Sequence, residues 1–161
     1  MSLLIRKSHN VSVLLYHAVF PAKYRRVVFD DSVEDDSVDG VLRSVCLDIS
    51  LRYEIEFIEI GTDGDHVHFL LQSVPTYSPT KIITLLKSLV AREVFKRCPH
   101  VKKQLWGGEF WSEGYFVSTV GPQGNENTIA NYGRGQGQEE LRPRAYQQLH
   151  RQSQGISNLS P

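Results

Sequence analysis

The sequence predicts an α+β domain in which one antiparallel sheet carries two helices on a single face. Short runs rich in β-branched and aromatic residues are separated by two segments whose apolar residues recur at helical spacing. The order of these segments is strand, helix, strand, strand, helix, strand, which is the βαββαβ order of the ferredoxin-like (RRM-like) fold. Such a fold leaves the other face of the sheet free for a ligand, a partner or nucleic acid.

The first half of the chain supplies three of these elements. The run "SVLLYHAVF" over 12–20 predicts a strand that ends at the following proline. A helix is expected over 40–51, where apolar residues recur at helical spacing, with Ser37 or Asp36 as its N-cap. The run "YEIEFIEI" over 53–60 begins with strict alternation, which is typical of a half-buried strand.

The second half supplies the other three. The segment "GTDGD" over 61–65 is dense in glycine and aspartate and predicts a turn. The run "HVHFLLQS" over 66–73 is then the returning strand of a hairpin. Ser78, followed by a proline, predicts the start of a helix that should end before Pro99. The run "YFVSTV" over 115–120 predicts the last strand.

The C-terminal part is expected to begin with a loop over 121–125 and a short C-terminal helix from about Asn127. Beyond that helix the chain is rich in Gln, Arg and Ser and has few large apolar residues. Such a composition is typical of a flexible segment. We therefore predict one domain over 1–138 and a polar, flexible tail over 139–161.

The overall composition is that of an ordinary soluble globular protein, with 40% hydrophobic and 22% charged residues in a chain of 161. No apolar run approaches the roughly 20 residues of a membrane span. The first residues lack the order of a secretory signal. We expect a cytoplasmic protein without a membrane partner. Cys46 and Cys98 form no CxxC pair and are expected to be reduced residues of the core.

The formal net charge of zero conceals an uneven distribution of charge. The segment over 30–39 holds six of the 18 acidic residues and is expected to be a solvated loop. Basic residues cluster in "KYRR" over 23–26, over 81–103 and in the tail. These clusters favour either a phosphate-binding face or simply solvated helix faces.

The segment "DHVHFLLQ" over 65–72 carries two histidines at the start of an apolar run. Because side chains alternate across a strand, His66 and His68 are expected to face one side together with Leu70 and Gln72. That spacing suits two ligands of one metal ion. It equally suits two histidines that are each hydrogen-bonded to a nearby carbonyl group, and the pair alone does not decide.

A second candidate group lies in "NTIANYGRGQ", where Tyr132 and Gln136 are four residues apart and would share one helix face. A tyrosine beside a bound metal is suited to attack a phosphodiester, and an amide oxygen as third ligand suits Mg²⁺ or Mn²⁺. The alternative is a surface tyrosine on a helix weakened by three glycines. Tyr146, with His150 four residues on, is the competing nucleophile.

Four ordered blocks together point to a family. They are "YHAVFPAKYRRVVF" over 16–29, "DHVHFLLQ", "LWGGEFWSEGYFVSTVG" over 105–121, and the pair Tyr132 and Gln136. In these blocks the chain resembles the single-tyrosine transposases of the insertion sequence 200/605 family, which are HUH nucleases. It departs from the family pattern at Gly133, where an aliphatic residue is common, and by an alanine inside "PAKYRR".

The resemblance implies a function and a site. Mg²⁺ or Mn²⁺ would bind at His66, His68 and Gln136, and Tyr132 would attack single-stranded DNA to give a 5′-phosphotyrosine link and a free 3′-hydroxyl group. The partners would be DNA with hairpin ends and a second copy of the chain, whose tyrosine completes the histidine site. A monomer that folds the tyrosine helix back onto its own histidines stays open from the sequence. The positions expected along the DNA path are Lys23, Arg25, Arg26, Lys81, Lys87 and Arg92.

Two other function classes stay open from the sequence. One is a non-catalytic ferredoxin-like module that binds nucleic acid by stacking bases on its sheet, although Phe69 alternates away from the histidines. The other is a zinc-dependent hydrolase, for which the sequence offers no clear third ligand and base. A metal-dependent covalent adduct with single-stranded DNA would separate the three classes.

Overall fold

The computed structural model describes residues 4–105 and 108–120. In these residues a small hairpin precedes a βαββαβ unit. The elements are β1 (Ile5–Arg6), β2 (Val11–Ser12), β3 (Leu14–Pro21), α1 (Val38–Arg52), β4 (Glu56–Asp63), β5 (His66–Ser73), α2 (Pro79–Arg97), α3 (Pro99–Gln104) and β6 (Phe116–Thr119).

The main sheet has four strands in the order β4-β5-β3-β6, and every neighbouring pair is antiparallel. Each helical crossover therefore skips one strand, as in the ferredoxin-like fold. The predicted fold class is confirmed. The strand that carries the two histidines is an inner strand, and β6 lies at one edge.

A single apolar core fills the space between this sheet and the two long helices. The inner side chains of the sheet are Tyr16, Ala18, Phe20, Val67, Phe69 and Leu71, and they join one cluster with the apolar faces of α1 and α2. The ring of Phe20 lies edge-on to two other rings, at 5.5 Å from Phe69 and 5.6 Å from Trp111. Full burial of each such side chain stabilises the fold by about 1.5–3 kcal/mol.

Both long helices begin at a predicted serine cap, although α1 starts at Val38, two residues before the expected range of 40–51. The Ser37 hydroxyl group accepts a bond from the Gly40 amide at 2.9 Å, and the Ser78 hydroxyl group accepts one from the Lys81 amide at 3.1 Å. Each cap satisfies an amide that has no partner within its helix. Of the two expected caps of α1, Ser37 is the one used. Helix α2 ends at Arg97, before Pro99 as predicted.

The β4–β5 hairpin differs from the prediction. Strand β4 begins at Glu56 rather than at 53, because the Tyr53 amide still donates to the Ile49 carbonyl at the end of α1. It then continues to Asp63, which pairs with His66. The turn is therefore only two residues long, and its first residue, Gly64, has a positive φ of 57°. Glycine adopts that conformation without steric cost.

Some of the remaining predictions are confirmed, and some elements of the structure were not predicted. Cys46 and Cys98 are buried free thiols, as predicted. The hairpin of β1 and β2 and the six-residue helix α3 were not predicted. The C-terminal helix, the loop over 121–125 and the tail lie outside the described residues. Within the described ranges, no helix is long and apolar enough to cross a membrane.

The acidic segment is not entirely a solvated loop, because Asp39 is fully buried in the first turn of α1. Its Oδ2 accepts from the Asp30 amide at 3.0 Å and its Oδ1 accepts from the Thr62 hydroxyl group. The carboxyl group thus ties the acidic loop and β4 to the helix. Burial raises the pKa of Asp39, although the bond from Thr62 opposes the shift.

Two substitutions at Asp39 should separate hydrogen bonding from charge. Asp39→Ala removes the acceptor of two hydrogen bonds, from the Asp30 amide and the Thr62 hydroxyl group, which together should cost about 1–3 kcal/mol of unfolding free energy. Asp39→Asn keeps the shape and should be far milder in urea denaturation at pH 7. An equal loss in both variants would contradict the hydrogen-bonding role.

The same residue predicts a pH dependence. Since the folded pKa of Asp39 lies above its unfolded value of about 3.9, the folded chain binds this proton more tightly. Its contribution therefore favours folding at low pH and is lost as the pH rises from about 4 through the folded pKa. The Asn variant should show a smaller fall in unfolding free energy over that interval.

Candidate active site on the histidine face

The side chains of β5 divide as alternation predicts. Those of Val67, Phe69 and Leu71 enter the core cluster. We call the opposite side of the sheet the histidine face; it carries His66, His68, Leu70 and Gln72. The buried residues of α1 and α2 pack on the other side of the sheet, in the core cluster. The described residues of the site belong to strands and to the loops that join them.

The two imidazoles lie on the same face of the sheet and are shielded from solvent. Each histidine is only 5% exposed. Same-face residues two apart on a strand are separated by about 6.6 Å at the backbone. That separation lets two rings converge on one ion, and burial fixes them in place before any ligand arrives.

The His66 ring is oriented by a chain of polar contacts. Its Nδ1 lies 2.9 Å from Asp65 Oδ1. The second carboxylate oxygen, Asp65 Oδ2, accepts from Arg25 Nε at 2.8 Å. A histidine held through Nδ1 presents Nε2 to a ligand, an arrangement in which a carboxylate orients a metal-binding imidazole. The structure thus places Arg25 and Asp65 behind His66.

Backbone bonds hold the Asp65 turn from the other side. The amide of Ala22 donates to the Asp65 carbonyl at 2.8 Å. The amides of Val28 and Phe29 donate to the Gly64 carbonyl at 3.0 and 2.9 Å. The segment that follows β3 therefore wraps around the hairpin turn, and the position of His66 depends on contacts distant in sequence.

The charge of Asp65 is maintained by its partners. Its partial burial alone would raise the carboxyl pKa, but the hydrogen bonds from His66 and Arg25 outweigh burial and lower it. An ionised Asp65 is the form that accepts from both neighbours at once. This pair of acceptor bonds keeps the three side chains in one arrangement.

The His68 ring lies directly over the backbone of Gly61, its cross-strand partner in β4. A Cβ atom at Gly61 would stand 2.0 Å from His68 Nε2 and 2.2 Å from its Cε1. No such approach is tolerated, so only glycine leaves room for this ring position. Sequence reasoning missed this role because it assigned Gly61 to the turn.

A third histidine shares the histidine face and was not recognised from the sequence. His17 of β3 pairs with Leu70 of β5 on one side and with Ser118 of β6 on the other. Its Nδ1 is buried and has no hydrogen-bond partner among the described residues. Burial lowers the pKa of His17. The run "YHAVF" alone does not show that His17 faces the same side as His66 and His68. This follows only once the pairing of β3 with β5 is known.

The basic residues expected along a DNA path fall in two places. Lys23, Arg25 and Arg26 lie just beyond β3, beside the Asp65 turn. Lys23 Nζ pairs with Glu109 Oε2 at 2.6 Å, and Arg25 is bound to Asp65. Arg26 is exposed. These three residues are next to the histidine face, and their part in DNA binding stays a prediction.

The other three basic residues belong to α2, in the helix layer. Lys81 Nζ lies 4.1 Å from the centre of the Tyr77 ring. Lys87 donates to the carbonyls of residues 112, 113 and 114 at 2.8–3.3 Å, and burial lowers its pKa. Arg92 lines a cleft of about 370 Å³ between α1 and α2. The structure does not bring them to the histidine face, and the contacts of Lys87 indicate a role in holding that loop.

The remaining site predictions lie beyond the described residues. Tyr132, Gln136 and the rival Tyr146 all belong to the undescribed C-terminal part. Within 4–105 and 108–120 no group of three or more His, Cys, Asp or Glu side chains is arranged to hold a metal ion. His66 and His68 fit two of three expected ligands, since both rings share the histidine face and one is oriented through Nδ1.

Residues 10–136 match the family model described as "Transposase IS200 like". The chain belongs to the IS200-like transposase family. The ISDra2 transposase TnpA of Deinococcus radiodurans is 34% identical over 117 residues, which cover 73% of this chain and 77% of that protein. The IS200 transposase of Salmonella typhimurium is 32% identical over 106 residues, covering 66% of each. Membership makes this chain a DNA transposase and confirms the predicted family.

Solved structures agree with this assignment. A Deinococcus radiodurans R1 protein described as a transposase superposes with a TM-score of 0.62 at 30% identity, covering 82% of this chain and 97% of that one. A REP-associated tyrosine transposase, solved with a REP hairpin, has a TM-score of 0.50 at 10% identity over 84% of this chain and 76% of that one. The second likeness shows the shared fold of this IS200-like transposase.

The contact of His68 with Gly61 yields a specific prediction. Gly61→Ala should push the His68 ring out of place and lower the melting temperature, because the Cβ would overlap the ring. In a His68→Ala background the same change should cost much less, since the ring is gone. A double-mutant cycle by thermal denaturation measures the difference. Equal costs in both backgrounds would show that the contact is not what requires glycine.

Proposed function

We propose that this chain cleaves and rejoins single-stranded DNA at the ends of an insertion sequence, with Tyr132 as nucleophile. The single observation that carries the proposal is the pair of buried histidines on the histidine face, one of them oriented by Asp65 and Arg25. Family membership supports DNA transposition as the process. The catalytic roles of Tyr132 and Gln136 are part of the proposal.

The proposed cleavage step exchanges one ester for another. The phenol oxygen of Tyr132 attacks a phosphorus atom of the strand, and the bond from phosphorus to the 3′-oxygen breaks. The phenol proton leaves, the departing 3′-oxygen gains a proton, and the phosphate stays on the 5′ side as a phosphotyrosine. The covalent link preserves the bond energy, so rejoining needs no nucleotide cofactor.

His66, His68 and Gln136 would hold the divalent ion, Mg²⁺ or Mn²⁺. When bound, such an ion polarises a phosphoryl oxygen and orients the phosphate for in-line attack. The chain's own contribution is orientation: Asp65 fixes the His66 ring, and Gly61 leaves the space that the His68 ring occupies. Misplacement of either ring would loosen the position of the scissile phosphate.

The DNA partner is proposed to carry hairpins near the element ends. One structural relative, the REP-associated tyrosine transposase, is bound to a REP hairpin in its solved structure. In this chain Lys23, Arg25 and Arg26 stand beside the histidine face and would follow the backbone of the strand. Lys87 is left out of the path, because it belongs to α2 in the helix layer and its ammonium group holds three loop carbonyls.

The active unit is proposed to be a homodimer joined through β6. This strand pairs with β3 on one side, and on its other side no strand of the described residues lies against it. An edge strand presents unpaired backbone groups to a second copy. Two-fold pairing of β6 would form one continuous sheet and bring the tyrosine of one chain to the histidine face of the other.

The non-catalytic alternative has less support. In modules that bind bases on the sheet, aromatic residues stand on the exposed face. Phe69, the aromatic residue of β5, is fully buried on the helix side of the sheet. The imidazoles of the histidine face are only 5% exposed, which leaves little ring surface for a base to stack on.

The first test of this function is the covalent adduct. Hairpin-bearing single-stranded DNA incubated with the protein and Mg²⁺ or Mn²⁺ should give a protein–DNA species that resists denaturing electrophoresis. Tyr132→Phe should abolish it while DNA binding survives, and chelation by EDTA should suppress it reversibly. Tyr146→Phe is the matched control. Loss of the adduct in Tyr146→Phe but not in Tyr132→Phe would overturn the assignment.

The second test concerns the shared site. Tyr132→Phe and His66→Ala chains should each be inactive alone, because each lacks one half of the site. If the tyrosine acts on the partner's histidines, mixed heterodimers contain one intact composite site and should regain cleavage. Native mass spectrometry must confirm that heterodimers form. Heterodimers that stay inactive would show that each chain uses its own tyrosine.

A further inference from the structure

The segment just after β3 has an unusual backbone. Tyr24 has a φ of 57° and Arg25 a φ of 54°, so two consecutive residues with side chains adopt the left-handed conformation. This region is costly for residues with a Cβ atom and is usually taken by glycine. Strain of this kind persists only where surrounding contacts enforce it, and it concentrates at functional sites.

Contacts on both sides of Tyr24 enforce the conformation. The Lys23 amide donates to the Phe110 carbonyl at 2.8 Å, and its ammonium group pairs with Glu109. Arg25 is held by Asp65 through a contact of 2.8 Å. With both neighbours anchored to the protein, the Tyr24 side chain projects into solvent and is 62% exposed.

Tyr24 is connected to the histidine site by only a short stretch of chain. Pro21 pairs with His66, and the next residue, Ala22, donates its amide to the Asp65 carbonyl. Tyr24 follows Pro21 by three residues, a stretch of at most about 10 Å. Tyr24 therefore lies within about 10 Å along the chain of the residue that pairs with His66, close enough for a strand that passes the histidines to reach its exposed ring.

We propose that Tyr24 is a stacking platform for one base of the single-stranded DNA that passes the histidine site. The inference rests on the proposed function and adds a binding subsite to it. Aromatic rings bind bases of any sequence through their faces when cations nearby hold the phosphates. Here Lys23 Nζ lies 5.4 Å from the Tyr24 ring centre, and Arg26 is exposed two residues on.

The strain argues against an incidental surface tyrosine. Glycine at this position would relieve the backbone strain. The chain instead has a tyrosine, whose Cβ atom disfavours this left-handed conformation. Lys23 and Arg25 fix where the ring stands, and Arg25 is also bound to the carboxylate that orients His66. One anchored turn thus holds both the base platform and a proposed metal ligand.

The experiment separates stacking on bases from attraction to phosphates. Full-length protein carrying Tyr132→Phe, which cannot form the adduct, is titrated into two fluorescein-labelled strands of about 20 nucleotides, longer than one binding site. One strand is oligo-dT, and the other is an abasic backbone of the same length. Affinities are measured by fluorescence anisotropy at one salt concentration.

The expected result is selective. Adding Tyr24→Ala should weaken binding of oligo-dT by about 5- to 100-fold, the usual range for one stacked base, and leave binding of the abasic strand unchanged. Tyr24→Trp should restore oligo-dT binding. Leu51→Ala, which removes an exposed apolar side chain from α1, is the control and should change neither affinity.

Three outcomes would overturn the platform. They are an unchanged oligo-dT affinity in Tyr24→Ala, an equal loss on both strands, and no rescue by Tyr24→Trp. Tyr24→Gly guards against a folding artefact, because it should lose oligo-dT affinity while its melting temperature is unchanged or raised. If the Tyr132→Phe parent binds neither these strands nor hairpin-bearing single-stranded DNA, the proposed function itself fails, which is a distinct result. A parent that binds only the hairpin-bearing strand likewise counts against the platform.

Discussion

The two-residue turn at Gly64 and Asp65 is the constraint on which the site depends. It sets the register of β4 against β5, with Asp63 opposite His66 and Gly61 opposite His68. Because the side-chain period of a strand is two, a slip of one residue would turn both histidines into the core. The same turn places the Asp65 carboxylate beside His66. The geometry of this turn thus both orients the His66 ring and places Gly61 where it leaves space for the His68 ring.

The turn is stabilised from a distance rather than by its own residues alone. Amides of the segment after β3 donate to the carbonyls of Gly64 and Asp65, and Arg25 binds the Asp65 side chain. That segment is in turn held by its contacts with residues 109–111. The three family blocks that lie within the described residues are therefore not independent motifs, because their contacts around His66 connect them.

Features that depend on local sequence were predictable. The strand assignment of β5, together with side-chain alternation, predicted the face that its histidines occupy, and the serine caps predicted the starts of α1 and α2. Features that depend on strand pairing or on contacts with distant segments were not predictable from the sequence. "GTDGD" has the composition of a loop, so the strand role of Gly61 required the register. The burial of Asp39 and the engagement of Arg25 and Lys87 equally required partners from distant segments.

The two faces of the sheet divide stability from function. The helix side holds the aromatic and aliphatic core, which stabilises the fold without contribution from the histidines. The folding free energy from this core offsets the unfavourable free energy of two features of the site, namely two buried imidazoles and two residues with positive φ. Since those costs arise in strands and loops supported by the same hairpin turn, a change that loosens the turn should relax the strain and disorder the site together. The strained conformation of Tyr24 and Arg25 is thus part of how the fold keeps His66 in position.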